Sequence, residues 1–106
     1  MPYAGTPWIR GGKIITETGQ WIVLDTPAWF RWLRTVTSFS YSSPRSSTWV
    51  SARKEKRGNN FYWYGYSRNA SKLHNVYLGK SEQLTTERLE WACGQLASKA
   101  RQQQGH

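Results

Sequence analysis

The side chains able to do chemistry in this sequence are cations and phenols, interleaved over one short stretch. Residues 45–80 hold eight Lys or Arg and a single acid, Glu55. Arginine carries a planar fork of donors that fits guanine edges and phosphates, whereas lysine is a point charge suited to phosphate alone. Tyrosine packs on sugars and methyl groups or stacks on unpaired bases. Together they point to nucleic-acid binding. The candidate contacts are Arg53, Lys54, Lys56, Arg57, Tyr62, Tyr64, Tyr66, Arg68, Lys72, Asn75, Tyr77 and Lys80. Arg53, Arg57 and Arg68 read as base or phosphate contacts, and Lys54, Lys56, Lys72 and Lys80 as phosphate contacts. The competing reading is a solvated strand face with ordinary cross-strand aromatic pairs.

Catalysis has no comparable support. His74 stands alone in an extended run, and His106 ends the chain. Cys93 is the single cysteine, which excludes an internal disulfide and a multi-cysteine zinc site. No Ser-His-Asp set, paired acids or phosphate-cradling glycine loop is present, and Gly11-Gly12 alone is weak. The expectation is a non-enzyme with no metal and no cofactor.

Composition agrees. Fifteen Lys and Arg against six Asp and Glu leave a net charge of +9, which directs attention to DNA, RNA or an anionic membrane. The longest apolar run, residues 21–24, is strand-sized and far short of a membrane span. The start, MPYAGTPWIRGGK, lacks the apolar stretch of a signal peptide. A cytoplasmic, nucleoid-associated protein with no membrane partner is expected. Aromatics make up 15% of the chain, including seven Trp and six Tyr. Some rings must build the core and others are available as surface.

The elements that must position these groups follow from periodicity. Lys13 to Thr16 and Gln20 to Leu24 around a Glu17-Thr18-Gly19 turn read as a hairpin. In DTPAWFRWLRTV, Asp25 or Thr26 is an N-cap and Pro27 a first helical residue, ahead of Trp29, Phe30 and Trp32. This predicts a short aromatic helix docked on something else. Residues 37–48, rich in Ser, read as a connector with extended character at Phe39 and Tyr41. Strands are then expected over residues 48–57, 61–68 and 72–79, joined by short turns into an antiparallel meander. Leu89, Ala92, Cys93, Leu96 and Ala100 form one helical stripe after an N-cap at Thr85.

The fold expected is therefore α+β: a three-stranded antiparallel sheet packed on a C-terminal helix, with an N-terminal hairpin and short aromatic helix. Residues 1–46 would be an extension and residues 47–103 the nucleic-acid-binding domain. Alternation puts Phe61, Trp63, Gly65 and Ser67 toward the helix, with Val50, Ala52, Val76 and Leu78. It leaves Arg53, Arg57, Tyr62, Tyr64, Tyr66, Arg68, Asn75 and Tyr77 on the open face.

The string NVYLGKSEQLTTERLEWACGQLA runs a strand with an aromatic and Leu-Gly through a polar turn into an Ala-rich helix. With the strands before it, the segment 49–97 resembles small domains of bacterial LuxR-type regulators and mobile-element proteins. In topology it is similar to the plant GCC-box domain and the arm-type binding domain of tyrosine recombinases. The resemblance implies a three-stranded sheet entering the DNA major groove, backed by a helix. It places Arg53, Tyr66, Asn75 and Tyr77 where groove-facing side chains stand. Tyrosines and Asn75 replace arginines and a tryptophan of the plant pattern, and Glu55 replaces a basic residue, so base specificity does not transfer. The leading expectation is a sequence-recognising double-stranded DNA binder, a transcription regulator or mobile-element accessory. The alternatives are a single-stranded DNA or RNA binder stacking bases on the Tyr face, and a protein-interaction adaptor docking through Trp29, Phe30 and Trp32.

Overall fold

The computed structural model describes residues 7–10, 12–15, 19–46, 48–69 and 72–104. Its strands are β1 (Trp8–Ile9), β2 (Lys13–Ile15), β3 (Trp21–Val23), β4 (Ser38–Ser42), β5 (Trp49–Arg57), β6 (Asn60–Asn69) and β7 (Lys72–Gly79). The helices are α1 (Pro27–Leu33) and α2 (Thr86–Gln104), the latter preceded by a 3-10 turn at Ser81–Gln83. The class is α+β, as expected.

The large sheet has five strands, not three, in the order β1-β4-β5-β6-β7. Its neighbours are antiparallel except β1, which runs parallel to β4. The expected three-stranded meander is the β5-β6-β7 part. Residues 38–42, expected within a connector, are the fourth strand. The physical reason is alternation: Phe39 and Tyr41 pair with Ala52 and Val50 and are almost fully buried, while Ser38, Ser40 and Ser42 take the other face. A boundary at residues 46 and 47 falls between two paired strands. The hairpin forms as expected, with β2 and β3 as a separate two-stranded sheet. Thr16 of its expected first strand, and Glu17 and Thr18 of its expected turn, lie outside the described residues.

The core lies on one side of the large sheet. Phe39, Tyr41, Val50, Ala52, Trp63, Val76 and Leu78 face α2 and α1, which contribute Leu89, Ala92, Cys93, Leu96, Trp29 and Leu33. Ile14 and Ile22 of the hairpin join the same cluster. Trp29 is the hub of the N-terminal half. Its ring stacks on Trp32 at 5.5 Å and meets Phe39 edge-on at 5.5 Å. Its indole N–H donates to the Leu84 carbonyl at 2.7 Å, so this buried donor is satisfied. Gly65 must stay small, because a Cβ there would stand 2.8 Å from a Val50 methyl carbon. Phe61, expected inside, is 55% exposed: the β5-β6 hairpin runs on past the part of the sheet that the helices cover.

Asp25 and Thr26 divide the capping work. The Thr26 hydroxyl accepts from Trp29 N and caps α1. Asp25, at φ 67, turns its carboxylate to accept from Thr86 N at 2.8 Å, while the Thr85 hydroxyl accepts from Arg88 N at 3.1 Å. The start of α2 is thus satisfied by two side chains, one of them 61 residues away. On the far edge, three carbonyls of β7 are taken by cations of α2. Arg88 donates to Tyr77 O at 2.9 Å and Leu78 O at 3.1 Å, and Lys99 donates to Asn75 O at 2.5 Å.

Candidate nucleic-acid interface

Among the described residues no helix covers the outer face of the large sheet, and the strand register sets its rows. Ser38, Arg53, Tyr64 and Tyr77 form one row across β4, β5, β6 and β7. Trp8, Ser40, Ser51, Tyr66 and Asn75 form the next. Glu55 pairs with Tyr62 one row nearer the β5-β6 turn, and Arg57 with Asn60 beyond it. Arg68 continues the face at the far end of β6, opposite Leu73.

Tyr77 is 47% exposed and packs against Tyr62 at 6.2 Å and Tyr64 at 5.5 Å. The Arg57 guanidinium stands 5.2 Å from the Tyr64 ring centre, and the Lys80 ammonium 6.0 Å from that of Tyr62. Such cation–ring contacts are worth about 0.5–1 kcal/mol at an exposed site, enough to bias where the cations rest without trapping them. Glu55 accepts from Arg57 Nη2 at 2.8 Å and from the Tyr66 hydroxyl. That hydrogen bond, with some burial, pushes the Tyr66 phenol above its ordinary pKa. Glu55 is the lone acid of the basic segment, and both its oxygens are engaged. The tyrosines tilt against one another rather than lying flat, so cross-strand pairing is realised at Tyr62, Tyr64 and Tyr77 alongside their exposure.

Three of the expected phosphate lysines fall elsewhere. Lys54 and Lys56 carry the parity of Val50 and Ala52, on the helix side. The Lys54 ammonium donates to Leu33 O at 2.8 Å, at the end of α1, and lies 5.3 Å from the Trp63 ring centre. Burial lowers its pKa. Lys56 is exposed opposite Phe61, and Lys72 has the parity of Val76 at the distal end of β7. The open face brings together Arg53, Arg57, Tyr62, Tyr64, Tyr66, Arg68, Asn75 and Tyr77, with Lys80 at its margin.

A second aromatic group on this face went unread in the sequence. Trp8 and Trp49 approach to 6.0 Å between ring centres, and the Arg10 guanidinium lies 4.9 Å from the Trp8 ring. Trp49 shares the parity of Arg53 and was findable by alternation. Trp8 and Arg10 sit in a segment with no periodicity and were not. Beneath them Ser40 is fully buried, and neither its hydroxyl nor the Trp8 indole nitrogen has a hydrogen-bond partner.

On the opposite side, Tyr41 and Ser43 donate to the Glu90 carboxylate at 2.5 and 2.8 Å, tying the end of β4 to α2. Burial first, and Glu90 second, raise the Tyr41 pKa. Burial pushes the Cys93 thiol up to about 11, so it stays protonated at neutral pH as a small core side chain. Among the described residues no three His, Cys, Asp or Glu are grouped to hold a metal, and no helix is long and apolar enough to cross a membrane. No family model matches the chain, and comparison with curated proteins and with solved structures gives no match either.

Proposed function

We propose that this chain binds double-stranded DNA through the outer face of its five-stranded sheet, with β5, β6 and β7 laid in the major groove. The observation that carries the reading is a shared, uncovered face holding Arg53, Arg57, Arg68, four tyrosines and Asn75, whose one acid is already paired. Three strands about 4.8 Å apart span roughly 10 Å, comparable with a groove of about 12 Å. Arginine forks and Asn75 can reach base edges, while Lys80 and Arg10 at the margins face the phosphate walls. The likeness of residues 49–97 to sheet-and-helix DNA-binding domains supports the same reading, and with it a role as a regulator or mobile-element accessory acting on cytoplasmic, nucleoid DNA.

The tilted packing of Tyr62, Tyr64 and Tyr77 favours duplex over single strands, because rings already leaning on one another offer little flat area to a base. The test is fluorescence anisotropy with labelled duplex over a salt series. If about five phosphates are neutralised, log K falls against log salt with a slope of roughly −4 to −5. A slope near zero would remove phosphate as the main partner. Single strands that outcompete matched duplex would move the function to base stacking.

A further inference from the structure

The β2-β3 hairpin buries Ile14 and Ile22 and turns its other face outward, carrying Lys13, Ile15, Trp21 and Val23. The solvated face of such a sheet is ordinarily polar. Here three of the four positions are large and apolar, with Ile15 54%, Trp21 61% and Val23 54% exposed. Beside Trp21 lies an open cleft of about 680 Å³ between the hairpin and α1, with Trp32 and Ala28 on its floor and Gln20, Arg31 and Thr35 at its rim. Trp21 belongs to both, standing on the outward strand face and lining the cleft beside Ile22 and Trp32.

Among the described residues that line the cleft or the strand face, the charged side chains are cations. The Lys13 ammonium lies 5.0 Å from the Trp21 ring centre, Arg31 lines the cleft, and no acidic residue does. A second copy of this chain would bring another +9 to a cationic rim, a repulsive pairing. An acidic segment with apolar anchors meets both properties: its side chains fill the cleft and cover Ile15 and Val23 while its carboxylates meet Lys13 and Arg31. We propose that the outer face of the β2-β3 hairpin and the Trp21–Trp32 cleft form a docking site for an acidic peptide segment of a partner protein bearing Leu- or Phe-type anchors. The proposal stands independently of DNA binding, since it rests on a different face.

The test uses the full chain and three short synthetic peptides. One alternates Asp and Glu with Leu and Phe, one has Lys at the acidic positions, and one has Ser at the apolar positions. NMR of backbone and indole N–H groups reports where each binds. The first peptide should shift Ile15, Trp21, Val23 and the Trp32 indole, and bind roughly tenfold or more tighter than either control. Trp21→Ser should remove that binding with the fold intact, because the ring is mostly in water, and Arg31→Glu should do the same through charge. Both variants should keep the affinity of the unaltered chain for duplex DNA. Three results would overturn the proposal: equal binding of all three peptides, shifts confined to the Arg53 and Tyr64 face, or shifts of Ile15 and Trp21 that grow with protein concentration alone, which would mark a second copy as the occupant.

Discussion

The outer faces of the large sheet and of the small hairpin are both uncovered strand surfaces, yet their side chains differ in kind. Across β5, β6 and β7 the outward positions are mostly Arg, Tyr and Asn with one paired Glu, and Trp49, Ser51 and Leu73 toward the ends; across β2 and β3 they are Ile, Trp and Val with one Lys. Each sheet already buries its inner residues, so neither outer face is needed to form the core. The outer residues are then free to suit whatever touches them. A cation-and-phenol surface suits a polyanion with polar edges, and an aliphatic-and-indole surface suits another protein. The two faces differ in chemistry while sharing one core.

The largest effect should come from breaking what the faces share. Trp29 is fully buried, touches both the aromatic core and the end of the 3-10 turn, and donates to Leu84 O. Trp29→Ala should cost about 3–5 kcal/mol, measured by urea unfolding, and DNA and peptide binding should be lost at the same denaturant concentration. If one face survives while the other goes, the core is not common to them.

A smaller effect sharpens the DNA side. Arg53→Ala should weaken a selected duplex by about 1–3 kcal/mol and a scrambled one less, in parallel anisotropy titrations. Lys54→Ala should leave both duplexes unchanged and instead cost about 1 kcal/mol of stability, through the lost bond to Leu33 O. DNA affinity that falls equally in the two variants would mean that face parity does not matter and charge alone binds. The smallest effect belongs to Trp21→Ser, where unfolding free energy should stay within about 0.5 kcal/mol of the original. A larger loss would make that ring part of the core and not an interface.

The strands that carry Arg53, Tyr64 and Tyr77 were legible because alternation and short turns coincide there. β4 was not, since Ser38, Ser40 and Ser42 mimic a linker, and only Phe39 and Tyr41 between them betray a buried face. β1 was beyond reach: two residues pairing in parallel with a strand some thirty positions on leave no local signature. Lys54 was misplaced for a simpler reason. Its charge suits a phosphate, but its parity with Val50 and Ala52 puts it on the helix side. The hairpin was read as strands, but WIV has no polar partner in its alternation, and that missing polarity was the available sign of a second surface.

Arg88 and Lys99 occupy three carbonyls of β7, and at the other margin β1 is only two residues long. Each rim of the large sheet is therefore a poor template for a further strand. Aggregation by edge-to-edge growth is discouraged on one side by guanidinium and ammonium plugs and on the other by sheer brevity. A chain with fifteen percent aromatic content in this way sets its exposed tyrosine and tryptophan rings on faces of a sheet whose rims offer little to a pairing strand.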